Sequence, residues 1–428
     1  MNNGHMAEWR RLDNAAKIFP SATSKADTKV FRFSAELNEP VDRYLLQDAL
    51  ERTLEDFPGF CCVLKRGLFW YYLEESATDF LVHEEDAPPC GILYHDSRSP
   101  LFDVSYYRCR INVELYHVLT DGAGALQFLK ALTFYYLRAA HREELKHCAP
   151  LDFDASAAQR ADDSFAKYYT GKKPRRSRLL KKLPPVYYLK GPKTAEYHLK
   201  IVEGMVPSDK MLACARERNV SVTALLTAIL MRSIHEEMGE RDKKKIVAVS
   251  IPVNLHKYFP SQTVRNFFSV VNIGYCFDGS SDRIEDIAVS VRDTLAETLN
   301  SDYLQERLDT LAAVEHWMIA RVVPLFIKNI VLKRFYLRSE REYTTTLSNV
   351  GQVEMPPEMS PYIHRFDVFN STKDLQACLC SFENRMSISF TSQLLSNDIE
   401  RRFFRTLTAM GIPVELSYNR FEGMGERD

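Results

Sequence analysis

Strand-like and helix-like patterns take turns along this chain on both sides of one basic, proline-containing stretch. That alternation restricts it to the mixed α/β class. In the first half, Thr28 to Leu37 alternates like a strand, with Val30, Arg32 and Ser34 against Phe31, Phe33 and Ala35. Val41 to Phe57 then carries Val41, Leu45, Ala49, Leu50 and Leu54 at helical spacing. Cys61 to Leu73, divided at Arg66-Gly67, reads as an aromatic-rich hairpin, Val104 to Tyr116 as a strand region, and Ala123 to Tyr136 as an amphipathic helix. Residues 171–193 (GKKPRRSRLLKKLPPVYYLKGPK) break the pattern. Their sparse aromatic content in an otherwise neutral chain favours a solvated linker over a nucleic-acid patch. Beyond it the same grammar returns: strands at His198 to Val206, Lys245 to Val253 and Phe267 to Phe277, and helices at Ser208 to Arg218, Ser221 to Met238 and Ser281 to Asn300. A further helical segment reaches about Arg338 with Pro324 interrupting it, and strands and a closing helix complete the half. The expected plan is a first half over residues 7–170, a linker over 171–195 and a second half over 196–428.

Composition excludes several function classes. With 56 Lys+Arg against 57 Asp+Glu, the net charge is −1, so no global field draws the protein to nucleic acid or to anionic surfaces. The nine cysteines contain no CxxC, which argues against structural zinc, a redox pair or a disulfide framework. His235-Glu-Glu-Met lacks the second histidine of a zinc helix, so no metal is expected. Gly122-Ala-Gly124 lacks dinucleotide spacing, and no GxSxG occurs. No stretch approaches the length of a transmembrane segment and no signal-peptide pattern opens the chain, so a cytoplasmic protein is expected.

One stretch carries chemistry: Val113-Glu-Leu-Tyr-His117-Val-Leu-Thr-Asp121-Gly122-Ala-Gly124. On a strand, Ile111, Val113, Leu115 and His117 share a face, so His117 closes an apolar row where strand gives way to helix. Burial there disfavours imidazolium and leaves a ring able to accept a proton. Asp121 falls where the helix begins, a position that suits an N-cap and the positive helix end.

HVLTDGAG in this strand-to-helix setting resembles the HxxxDG motif of the chloramphenicol acetyltransferase-like superfamily. The opening Trp9-Arg-Arg-Leu-Asp13-Asn-Ala-Ala-Lys17-Ile-Phe19-Pro20 resembles the start of its bacterial alcohol O-acetyltransferase-type branch. Pro252-Val-Asn-Leu255, Tyr258-Phe-Pro-Ser, Arg265-Asn-Phe-Phe-Ser and Ser348-Asn-Val-Gly351 are similar to later blocks of that branch. The resemblance, which spans nearly the whole chain, implies two similar α/β domains, each a mixed sheet flanked by helices, meeting at an active-site channel. It implies coenzyme A-dependent transfer of an acyl group, acetyl in the first instance, from a thioester to a small-molecule alcohol. His117 would be the general base, with Asp121 and Gly122 supporting the turn, acyl-coenzyme A the cosubstrate and no bound cofactor. The DFGWG motif of the plant branch is absent, and Tyr116 stands where condensation domains carry a second His. The alternatives are an amide-forming, condensation-like enzyme and an idle member serving as a binding module. Asn349, or failing that Ser348, is the candidate oxyanion donor. The family's Asp pairs with a basic residue; here Asn254-Leu255-His256-Lys257 replaces the usual Asn-Leu-Arg, so His256 or Arg265 is the expected partner of Asp121. The sequence carries no indication of oligomeric state.

Overall fold

The segments that alternate in sequence pair in space into two main sheets. The computed structural model describes residues 9–76, 78–151, 163–172, 185–316 and 322–419; residues 173–184 of the expected linker lie outside them. Among the described residues the first sheet has the strand order Ile363–Asn370, Val30–Leu37, Arg110–Tyr116, Phe102–Tyr107 and His83–Glu84. The second has the order Phe268–Tyr275, Val247–Asn254, Thr345–Gln352, Leu375–Phe382, Arg385–Ser392, Lys200–Pro207 and Glu415–Tyr418. Both are mixed. Thr345–Gln352 runs parallel to both its neighbours and His83–Glu84 parallel to Phe102–Tyr107, while the other pairs are antiparallel. Trp9–Arg11, Tyr71–Glu75 and Cys62–Arg66 form a small third sheet.

Helices cover these sheets where the apolar stripes require it. Arg43–Asp56 and Gly122–Ala140 pack on one another, and Leu46, Ala49, Leu50, Ala125, Phe128, Leu129 and Leu132 enter a core shared with Phe31, Phe33, Val113 and Leu115. A second core surrounds Val222–Glu236, where Leu225, Leu226, Ile229 and Leu230 meet Val247, Val249, Ile388 and Phe403. The expected strand region Val104 to Tyr116 is two strands, hinged at Arg108 with φ +52°. Among the described residues the interrupted segment holds helices Ser301–His316 and Leu325–Ser339, with Pro324 at the N-cap of the latter.

Ile363–Asn370 comes from the second half of the chain yet pairs with Val30–Leu37 of the first. It thereby joins the lobes, and a buried charge cluster reinforces the junction. Glu36 and Glu203 each bond Arg110 and Arg365 at 2.9–3.5 Å, while Asp367 lies 3.6 Å and 3.2 Å from the same two guanidiniums. Three carboxylates face two cations here. Burial first, and then the Glu203 charge, push the Asp367 carboxyl up to about 6. A folded-state value above that of the unfolded chain means the fold holds a proton that the unfolded chain releases. The cost of ionising Asp367 is therefore absent at low pH, grows through the window up to about pH 6 and is complete above it. Asp367→Asn removes that cost, so its melting temperature relative to the natural protein should be more favourable at pH 7.5 than at pH 5. An identical difference at both values would contradict this reading of the cluster.

Candidate active site

Strand Arg110–Tyr116 is buried on both faces. One side joins the apolar core; on the other, Ser34 donates to Asn112 at 2.8 Å and Arg32 to Glu114 at 2.9 Å. The strand ends at Tyr116 and turns, with the Leu119 N–H donating to the Tyr116 carbonyl at 2.8 Å, and the helix starts at Gly122. His117 sits on that turn, its own N–H bonded to the Lys29 carbonyl at 2.9 Å.

Three aromatic rings surround the imidazole. Phe19 stacks on it at 4.7 Å between centroids and 18° between planes, Phe31 lies at 4.5 Å and Phe268 at 5.9 Å. The ring is deep in the protein, and the residue as a whole is half-buried. Burial pushes its pKa down to about 4, against the favourable bond from Asn266 and with help from the Lys29 ammonium. His117 is accordingly uncharged at neutral pH.

Asn266 fixes which nitrogen carries the proton. Its Nδ2 donates to Asp13 Oδ2 at 3.2 Å and to the His117 carbonyl at 3.1 Å. Both partners only accept when Asp13 is ionised, so the amide cannot be turned around, and Oδ1 is the atom facing His117 Nδ1 at 3.4 Å. A neutral ring can answer that oxygen only as the Nδ1–H tautomer, which puts the lone pair on Nε2. Asp13 is itself anchored: it accepts the Ala16 N–H at 2.7 Å and faces Arg265 Nε at 3.8 Å. Asp13 and Asn266, the positioning residues, lie within Trp9–Pro20 and Arg265–Ser269, where no local pattern marks either. Only the spatial meeting of residues 13, 117 and 266 identifies them.

Asp121 caps the helix as its position requires, with Oδ1 accepting from the Ala123 and Gly124 N–H groups at 3.0 and 3.2 Å. Its other oxygen differs from expectation. Oδ2 accepts the backbone N–H of Phe267 at 2.7 Å in place of a bond from a side-chain cation. Arg265 turns instead to Asp13 and to the Arg11 carbonyl. His256 bonds Asn254 Oδ1 and the Thr263 carbonyl and reaches Asp121 only through its electric field. A main-chain donor has no residue-type signature, whereas the family resemblance implies a cation.

Gly122 and Gly124 have different demands. A Cβ on Gly122 would meet Phe33 at an ordinary 3.7 Å, but one on Gly124 would fall 2.2 Å from both the Val264 carbonyl oxygen and Thr120 Oγ1. The crowded glycine is therefore the second. Gly124→Ala should cost about 1–3 kcal/mol or more, because backbone has to move, whereas Gly122→Ala should stay within about 0.5 kcal/mol. Chemical denaturation of the two variants checks this, and equal losses would contradict it.

Ser348 and Asn349 lie on strand Thr345–Gln352 of the second sheet. Asn349 is exposed, donates to Thr223 Oγ1 at 2.9 Å and accepts the Gly351 N–H at 2.9 Å. Among the described residues no hydrogen bond joins either residue to His117. The buried thiols of Cys62 and Cys378 are pushed up to about 12, so neither is a ready nucleophile.

No protein-family model matches this sequence, and no curated protein matches it significantly. Solved structures do match its fold. Polyketide synthase associated protein 5 from Mycobacterium tuberculosis aligns with TM-score 0.62 and 14% identity over 93% of this chain and 96% of its own. The TRI101 protein of F. sporotrichioides, solved with coenzyme A and T-2, aligns with TM-score 0.62 and 12% identity over 96% of this chain and 99% of its own. The first condensation domain of the CDA synthetase aligns with TM-score 0.59 and 13% identity over 95% and 97%. Over most of its length the chain has the two-lobed fold of these condensation domains and acetyltransferases.

Proposed function

We propose that this protein transfers an acyl group from a coenzyme A thioester to an alcohol hydroxyl, with His117 as the general base. The observation that carries the reading is the convergence at one uncharged imidazole, on a half-buried residue, of three segments far apart in sequence. Asp13 and Phe19 come from the first, the strand-to-helix turn from the second, and Asn266 to Phe268 from the third. The coenzyme A held by the fold relative TRI101 supports the choice of thioester. Nε2 takes the hydroxyl proton as the oxygen attacks the thioester carbonyl and the new C–O bond forms. Collapse of the tetrahedral intermediate breaks the C–S bond, and the imidazolium returns its proton to the departing thiolate. The low resting basicity of His117 suits this cycle. The ring gains its charge only while a negative oxygen develops beside it, and it loses that charge on collapse. No acyl-enzyme forms, and Asp121 acts by holding the turn.

The proposed domain plan keeps the halves at 7–170 and 196–428, bridged by the exchanged strand Ile363–Asn370. The proposed setting is the reducing cytoplasm, where the free cysteines persist. Tyr116, in the place of a second histidine, bonds Thr23 at 2.7 Å and is buried, which supports an alcohol over an amine acceptor. Incubation with acetyl- and longer acyl-coenzyme A, each with parallel panels of alcohols and amines, tests the proposal by free-thiol release. Release that depends on an alcohol is expected. Binding of acyl-coenzyme A without turnover on any acceptor would instead favour the idle binding module.

A further inference from the structure

Helix Leu325–Ser339 presents a surface that the catalytic reading does not use. Its inner side is committed. Leu325 is buried with its N–H on the Leu68 carbonyl at 2.9 Å, Lys328 donates to the Phe69 carbonyl at 2.8 Å and covers the Trp70 ring at 3.5 Å, and Asn329 bonds Tyr71 at 3.1 Å. Tyr336 meets Lys29, whose carbonyl holds the His117 N–H. The outer side is a different matter. Phe326, Ile330, Val331 and Phe335 are 59%, 55%, 60% and 58% exposed, and Ile327 and Leu337 are exposed beside them. So many large apolar side chains open on one helix exceed the scattered singles of an ordinary surface. The preceding Val322 and the loop-tip residue Leu68 extend the patch.

Charge identifies the occupant. Lys333, Arg334 and Arg338 are exposed on the same outward arc, and the fifteen residues of the helix contain no Asp or Glu. A symmetric contact with a second copy would set these cations against their own images, so the occupant has to bring negative charge as well as apolar surface. At a lipid–water boundary both halves of the mixture are satisfied. The apolar side chains enter the acyl region, while the long basic side chains extend to anionic headgroups. We propose that the outer face of Leu325–Ser339 docks on an anionic lipid surface, lying in its plane. The chain's overall charge of −1 makes this a local feature of one helix. The inference stands on this face alone and holds whether or not the acyl-transfer reading does.

Vesicle flotation of the full chain tests it directly, with phosphatidylcholine alone against phosphatidylcholine mixed with phosphatidylglycerol. The expected result is co-flotation with the mixed vesicles that weakens as salt is raised. Lys333→Gln with Arg334→Gln should lower that binding by about tenfold or more, since each cation near an anionic surface is worth roughly five-fold. Phe326→Gln with Val331→Gln should lower it comparably. All four side chains are exposed, so melting temperatures should be unchanged. Failure of the natural chain to float with anionic vesicles would overturn the proposal, as would undiminished flotation of both double variants. A dimer in solution that Phe326→Gln with Val331→Gln dissociates would overturn it too, because the face would then belong to a second copy.

Discussion

His117→Ala is expected to lower turnover by about 10²–10⁴ in a protein that remains folded, the usual worth of a positioned general base. The pH dependence should be unusual for a histidine enzyme. Because burial holds His117 down to about 4, kcat/KM should show no acid limb near the ordinary imidazole value, and protonation of the base should appear only close to pH 4. The same depression has a sign in stability. Below the ordinary imidazole value of about 6.5 the unfolded chain binds a proton that the folded chain refuses until about pH 4. The contribution of this group to stability is therefore complete above about pH 6.5 and is lost as pH falls through that window. His117→Ala should accordingly lose less stability between pH 6.5 and 4.5 than the natural protein does. A normal acid limb in the natural enzyme, or an unaltered rate in a folded His117→Ala variant, would remove the assignment.

Asp121→Ala should be the most damaging change for stability among the residues of the turn. It removes the cap on Gly122–Ala140, worth about 1 kcal/mol, and leaves the buried Phe267 N–H without its acceptor, at about 1–3 kcal/mol. The sum is roughly 2–4 kcal/mol. Asp121→Asn separates the two parts. Its remaining oxygen can still cap the helix, but its NH₂ would confront the Phe267 N–H, so only the second loss should remain. Because Phe267 adjoins Asn266, which orients the His117 ring, both variants should also lower kcat with no new ionisation in the pH profile. An Asp121→Asn variant as stable as the natural protein in chemical denaturation would show that the Phe267 bond carries nothing.

The contrast between what was legible in the sequence and what was not follows from the range of each interaction. Strand Val30–Leu37, helix Gly122–Ala140 and the cap at Asp121 follow from local periodicity and capping, and these local signals agree with the fold. The place of Ile363–Asn370 beside Val30–Leu37 is a pairing across more than three hundred residues that no local pattern encodes. The site divides in the same way. His117 and Asp121 stand out because one short motif holds both. Asp13 and Asn266 do not, because each gains its meaning only on meeting a residue far away in the chain. The resemblance pointed to a cation beside Asp121, and the fold supplies a main-chain N–H. At that position the function is served by backbone geometry, to which residue identity is nearly blind.

The central claim is direct acyl transfer from thioester to hydroxyl without a covalent intermediate. A single-turnover reaction tests it most directly, with protein in excess over acyl-coenzyme A, an alcohol acceptor present, and ester, free thiol and intact protein mass followed together. The account predicts that ester and thiol appear in equal amounts and at one rate, that the protein mass stays unchanged throughout, and that His117→Ala slows both products alike. Thiol release with a protein that has gained the mass of the acyl group, or no thiol release with any acyl chain and any alcohol, would contradict it.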